Sequence, residues 1–138
     1  MGDYVKVIRN ATQAIAVNTM TDVAFDTESV DAAGYFTLGA PTRITVPTGK
    51  AGEFIFSASV FMDGTAPQER ALLQLTVYNS LNVAQAGYRY PHGYQDNLGD
   101  TTEQMPLNDG DYVILQVYQS WNSGTRNLTA TLEMFRLN

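Results

Sequence analysis

The 138-residue sequence predicts a single all-β domain, a sandwich or barrel of short antiparallel strands. Two observations carry this expectation. Apolar side chains recur at every second position in several separate runs, which is the period of a strand with two unlike faces. Gly, Pro, Asn and Asp punctuate those runs at short intervals, and no helical period is sustained over a long stretch.

The elements follow in chain order. Residues 1–11 mix Tyr4, Val5, Val7 and Ile8 with Lys6 and Arg9, and read as an N-terminal arm or docking strand, or else as a first strand pairing within the domain. Weaker strands are expected at Thr12–Val17, Tyr35–Leu38 and Thr42–Val46. "GEFIFSASVFMD" puts Phe54, Phe56, Ala58, Val60 and Met62 on one face, with Ile55, Ser57, Ser59 and Phe61 on the other. "RALLQLTVY" groups Ala71, Leu73, Leu75 and Val77 opposite Leu72, Gln74, Thr76 and Tyr78. Further weak strands cover Val83–Tyr90 and Thr101–Met105, and "NLTATLEMFRL" alternates most cleanly, with Leu128, Ala130, Leu132 and Met134 set against Thr129, Thr131 and Glu133. Turns fall at "PTGKAG", "DGTAP", "YNSLN" and "WNSGTRN". No linker, low-complexity tract or internal repeat divides the chain, so residues 1–138 form one domain.

Composition narrows the function. Only 16% of residues are charged, against a typical ~25%. Asn, Gln, Ser and Thr must therefore cover much of the surface, or it must be buried in part against a partner. The net charge is −6, and the eight Lys and Arg are scattered from Lys6 to Arg136 without forming a stripe, which argues against nucleic acid and anionic membranes as partners. With no cysteine, disulfides, thiolate catalysis and zinc–cysteine sites are excluded. "MGDYVKVIRN" lacks the pattern of a secretory signal and the hydroxyl residue of a myristoylation signal. The sequons at Asn10 and Asn127 therefore carry little weight.

The run from Asn108 to Gln119, "NDGDYVILQVYQ", begins with two aspartates around a glycine. Past that turn, Val113, Leu115, Val117 and Trp121 make an apolar face, while Tyr112, Ile114, Gln116 and Tyr118 make one that is aromatic and half polar. Such a strand suits a sandwich whose outer side meets a partner, or a central strand covered by loops.

Phe25-Asp26, Tyr35-Phe36-Thr37, Pro47 through Gly52-Glu53-Phe54-Ile55-Phe56, Leu107 through Val117, and the terminal Phe135-Arg136-Leu137 follow one another in fixed order. In that order they resemble the complement globular-head and tumour-necrosis-factor-like superfamily, most closely its bacteriophage virion-protein version. The resemblance spans roughly residues 20–138 and implies a jelly roll of about ten antiparallel strands in a tight homotrimer. One sheet would pack around the threefold axis, with Tyr112, Ile114, Tyr118, Phe61 and Tyr78 as the matching positions. It further implies a non-enzymatic virion protein, made in the host cytoplasm, that decorates or cements the capsid against the major capsid protein. The alternative it allows is a receptor-binding module of a tail fibre or spike that recognises a host surface glycan or protein. A secreted complement-like ligand is disfavoured by the missing signal and cysteines.

Candidate sites are few. His92 is the only histidine, and no nucleophile motif accompanies it, so no catalytic residue and no cofactor are expected. Asp22, Asp26, Glu28 and Asp31, with Asp109 and Asp111, are the calcium candidates, since spaced acids in loops can supply the oxygens calcium needs. The competing reading is that these aspartates open turns by bonding to nearby backbone. Tyr88, Arg89, Tyr90, His92 and Tyr94, with Trp121, form the candidate ligand or partner loop, because Tyr and Arg dominate recognition surfaces. Their competing reading is a strand whose tyrosines pack at the trimer seam.

Overall fold

The period-two runs pair into two sheets. The computed structural model describes residues 2–63, 71–93, 97–120 and 126–137, the side chains of 89–93 and 97 excepted. Its strands are β1 (Tyr4–Ile15), β2 (Thr21–Asp22), β3 (Thr27–Asp31), β4 (Arg43–Thr45), β5 (Gly52–Met62), β6 (Ala71–Tyr78), β7 (Ala84–Gly93), β8 (Asn97–Thr101), β9 (Met105–Leu107), β10 (Tyr112–Gln119) and β11 (Arg126–Arg136). One sheet runs β3-β1-β11-β5-β8, with β9 also on β5; the other runs β2-β10-β6-β7, with β4 also on β10. Every pairing is antiparallel.

The core lies between the sheets and takes one side of each alternating run. Phe54, Phe56 and Val60 of β5 and Leu128, Leu132 and Met134 of β11 face Leu73 and Leu75 of β6 and Val113, Leu115 and Val117 of β10, all buried. Phe25, Tyr35 and Phe36 close the sandwich from the loops, with Phe25 edge-on to Phe36 and Tyr35 edge-on to Phe54. Such tilted pairs add to the apolar burial itself.

Three expectations need correction. Residues 1–11 are no arm: from Tyr4 they lead β1, which is held between β11 and β3. Val5 and Val7 are fully buried, which is why this segment docks inside the domain. Tyr35–Leu38 is a loop whose aromatic rings fill the core, while the sheet edge is occupied by β3. Thr101–Met105 is broken, because buried Thr102 turns inward. Its amide donates to the Phe56 carbonyl at 2.8 Å, and its hydroxyl accepts the Phe56 amide at 2.9 Å.

Aspartate carboxylates tie the turns to the strands. Asp26 accepts the amides of Asn10 and Ala11, at 2.8 and 2.9 Å, where the β1–β11 register shifts between Arg9 and Gln13. Asp31 accepts those of Tyr35 and Phe36, Asp63 that of Asn127, and Asp109 those of Gly49 and Ala51. Asp3 accepts the Tyr35 hydroxyl at 2.7 Å and faces Lys50 at 3.3 Å, anchoring the start of the chain.

These bonds favour the ionised carboxylate. Asp3 is held below the usual range chiefly by the Tyr35 hydroxyl, Asp26 by the Asn10 and Ala11 amides, Asp63 by the Asn127 amide and Asp109 by the Gly49 and Ala51 amides. A carboxyl group whose folded pKa is depressed adds stability above its unfolded value of about 3.9, and loses it as pH falls through the folded value. Asp26→Ala is therefore expected to melt at a lower temperature than the parent at pH 7. The gap should narrow as pH is lowered below about 4, as thermal melts followed by circular dichroism would show.

Candidate functional site

Each sheet turns a second face outward, and the two are finished differently. On the five-stranded sheet, the outward side chains of β10 and β6 cover one another. The rings of Tyr112 and Tyr78 stack at 5.1 Å and 10°, and the Arg43 guanidinium lies 4.0 Å above Tyr112 on the other side. The Tyr112 hydroxyl donates to Asn82 at 2.9 Å. Beside this stack, the Gln116 carbonyl accepts from Gln74 and Thr76, at 3.1 and 3.0 Å, while its amide donates to Asp22 at 2.8 Å. Tyr118 donates to Asn18 at 2.9 Å. Tyr112 and Ile114 keep only 5% and 7% exposure within the single chain.

Among the described residues, the outward face of the six-stranded sheet is less covered. Its rows run Tyr4–Phe135–Ile55, Val30–Lys6–Glu133–Ser57–Thr101, Ile8–Thr131–Ser59–Gly99 and Thr129–Phe61. Phe61 is 49% exposed, and Phe135 and Val30 are each 39% exposed. Tyr4 rests against Phe135 at 5.0 Å and donates a short hydrogen bond to Glu133, which pushes the Tyr4 hydroxyl up to about 12. In the centre, Ser57, Ser59, Thr129 and Thr131 are small and uncharged. Where β1 bulges away from β11, a hollow of about 220 Å³ opens among Ile8, Arg9, Asn10, Phe61 and Thr129.

The five residues expected at a trimer seam are thus divided. Phe61 stands on the open face of the six-stranded sheet, whereas Tyr78, Tyr112, Ile114 and Tyr118 stand on the opposite side of the sandwich. Ile8, Ile55 and Phe135, which were not among the five, share the open face with Phe61. Their signal lies in the second face of the β5 run, where Ile55 and Phe61 flank two serines without any charge.

The calcium candidates do not converge. Asp22, Asp26, Asp31, Asp109 and Asp111 each accept a hydrogen bond from a side-chain or backbone amide of their own chain, and Glu28 is exposed on β3. Among the described residues, no three acids or histidines come together to hold a metal. Asp109-Gly110-Asp111 is a turn, and Gly110 has φ +85°. A Cβ there would meet Ser80 at 2.9 Å, so the glycine serves both conformation and fit.

Of the candidate ligand loop, Tyr88 lies half-buried on β7, beside an open cleft of about 260 Å³ with Val77, Met105 and Leu107. The backbone of Arg89, Tyr90 and His92 continues β7, and their side chains lie outside the described residues, as do Tyr94 and Trp121.

Two antiparallel sheets in this order make a jelly roll of the complement globular-head and tumour-necrosis-factor-like type. No family model and no curated protein sequence matches the chain. Solved structures do. The PRD1 vertex protein P5 superposes with a TM-score of 0.75 at 16% identity, over 99% of this chain and 97% of that one. The globular domain of zebrafish complement 1qA gives 0.67 at 19%, over 99% and 98%, and murine APRIL gives 0.67 at 11%, over 99% and 100%. At these identities the likeness defines the fold.

The self-covered face yields a prediction. Arg43→Ala removes one side of the stack on Tyr112 and is expected to lower stability by roughly 1 kcal/mol. The particle mass in solution should not change, as denaturant melts and light scattering on the same sample would report.

Proposed function

We propose that this chain is a non-enzymatic bacteriophage virion protein, a homotrimeric jelly roll that decorates or cements the capsid. The observation that carries the reading is the uncovered, charge-poor face of the six-stranded sheet. Strands β1, β5 and β11 are 12, 11 and 11 residues long. At ~3.4 Å per residue and ~4.8 Å between strands, with the shorter β3 and β8 alongside, the face spans roughly 700 Å². A stable interface buries roughly 600–1,000 Å² per partner. The face is therefore large enough for self-association, and its exposed Phe61 and Phe135 are the kind of aromatic anchor interfaces use.

A second copy of the chain fits this face on charge as well. The protein carries a net −6, so copies repel over much of their surface. The central rows hold Lys6 and Glu133 as a cross-strand pair and otherwise Ser, Thr, Gly and apolar side chains. The virion assignment is supported by the likeness in fold to a phage vertex protein and by an acidic surface unsuited to nucleic acid.

Light scattering at micromolar concentration should give three times the 15.2 kDa chain mass. Phe61→Asp should give a folded monomer, because it places a charge in the seam and leaves the core untouched. The purified protein should also bind capsids stripped of their accessory proteins, and not host cells. A monomeric parent, or cell binding that blocks infection without capsid binding, would sink this reading.

A further inference from the structure

The large hydrophobic side chain with the greatest exposure among the described residues is Leu81, at 79%, with Val83 at 54% two positions on. Both sit at the tip of the β6–β7 hairpin, in a turn that is unusually well tied. The Asn79 carboxamide oxygen accepts the amides of Leu81 and Val83, at 2.9 and 3.0 Å. The Asn79 amide donates to the Val83 carbonyl, and the Asn82 amide to the Asn79 carbonyl, each at 3.0 Å. Asn82 takes the left-handed conformation, φ 63°, and its side chain accepts the Tyr112 hydroxyl. Ser80 packs against Gly110. The backbone beneath the two apolar side chains is thus fixed, so little backbone entropy remains to be lost when they dock.

Their surroundings define the partner. The turn carries no charge, and the neighbouring Asp109 and Asp111 spend their carboxylates on backbone amides. An apolar tip flanked by Asn79, Ser80 and Asn82 has the anatomy of a protein interface, an apolar centre with an uncharged polar rim. Nucleic acid and anionic lipid call for basic residues, which the turn lacks. The tip belongs to the five-stranded sheet and stays free when the other sheet self-associates. Threefold rotation sets three such tips in one plane.

We infer that Leu81 and Val83 are the anchor by which the trimer seats on the shell, each tip entering an apolar socket of a shell protein. The inference rests on the trimeric, capsid-decorating reading given above. Loss of one buried leucine costs ~10-fold or more, and three linked contacts multiply that to ~1,000-fold.

The test is binding to stripped shells of the virus that encodes the protein, measured by co-sedimentation for the parent, Leu81→Ser and Leu38→Ser. Leu38 is 63% exposed on the loop before β4 and serves as the control. Leu81→Ser should keep the parent's mass and melting temperature while losing shell binding by ~1,000-fold, with Leu38→Ser unchanged. Parent-like binding by Leu81→Ser overturns this anchor alone, as does equal loss in Leu38→Ser. No binding by the parent overturns the anchor and the decorating reading together. Parent binding to phosphatidylcholine vesicles that Leu81→Ser abolishes would reassign the tip to lipid and overturn the protein socket.

Discussion

A sandwich of two sheets buries one side of each and leaves two outward faces to be finished, and among the described residues no helix covers either of them. The way each face is finished governs what the molecule can do. The five-stranded sheet closes its own: Arg43, Tyr112 and Tyr78 stack, and Gln74, Thr76, Gln116 and Asp22 bond in a ladder. Polar side chains that satisfy each other need no partner. Among the described residues the six-stranded sheet leaves Phe61, Phe135 and Val30 partly exposed on its outward face, so that apolar area remains to be buried.

The same contrast governs the acids. In a chain with fourteen carboxylates, repulsion would work against tight turns unless the charges were put to use. Asp26, Asp31, Asp63 and Asp109 each accept backbone amides that the turns leave unpaired. The negative charge thereby becomes part of the scaffold: Asp26 fixes the bulge beside the hollow on the open face, and Asp109 holds the turn that supports the β6–β7 tip through Gly110 and Ser80.

Much of this was legible in the sequence, because period two is a direct consequence of strand geometry. The buried sides of β5, β6, β10 and β11 follow their runs residue by residue. The failures have physical causes. Tyr35-Phe36 has strand composition, yet its rings are pulled into the core while Asp31 captures their amides. β3, "TESVD", is exposed along nearly its whole length and so shows no alternation, although it pairs with β1. The candidate seam was harder still. A tyrosine-rich outward face looks open in a single strand, and only the neighbouring strands reveal that Arg43 and Asn82 already cover Tyr112.

On the function proposed above, copies of the chain meet at the open face of the six-stranded sheet. The absence of cysteine allows single thiols to report on each face. Ser59→Cys and Leu72→Cys, on the six- and five-stranded sheets, can be timed for reaction with a soluble thiol reagent at assembling concentration and after dilution. The thiol at position 59 is expected to be shielded in the assembled protein and to react freely once it dissociates, while the thiol at position 72 reacts at one rate throughout. A thiol at position 59 that reacts equally fast in both states, in protein of trimer mass, would contradict it.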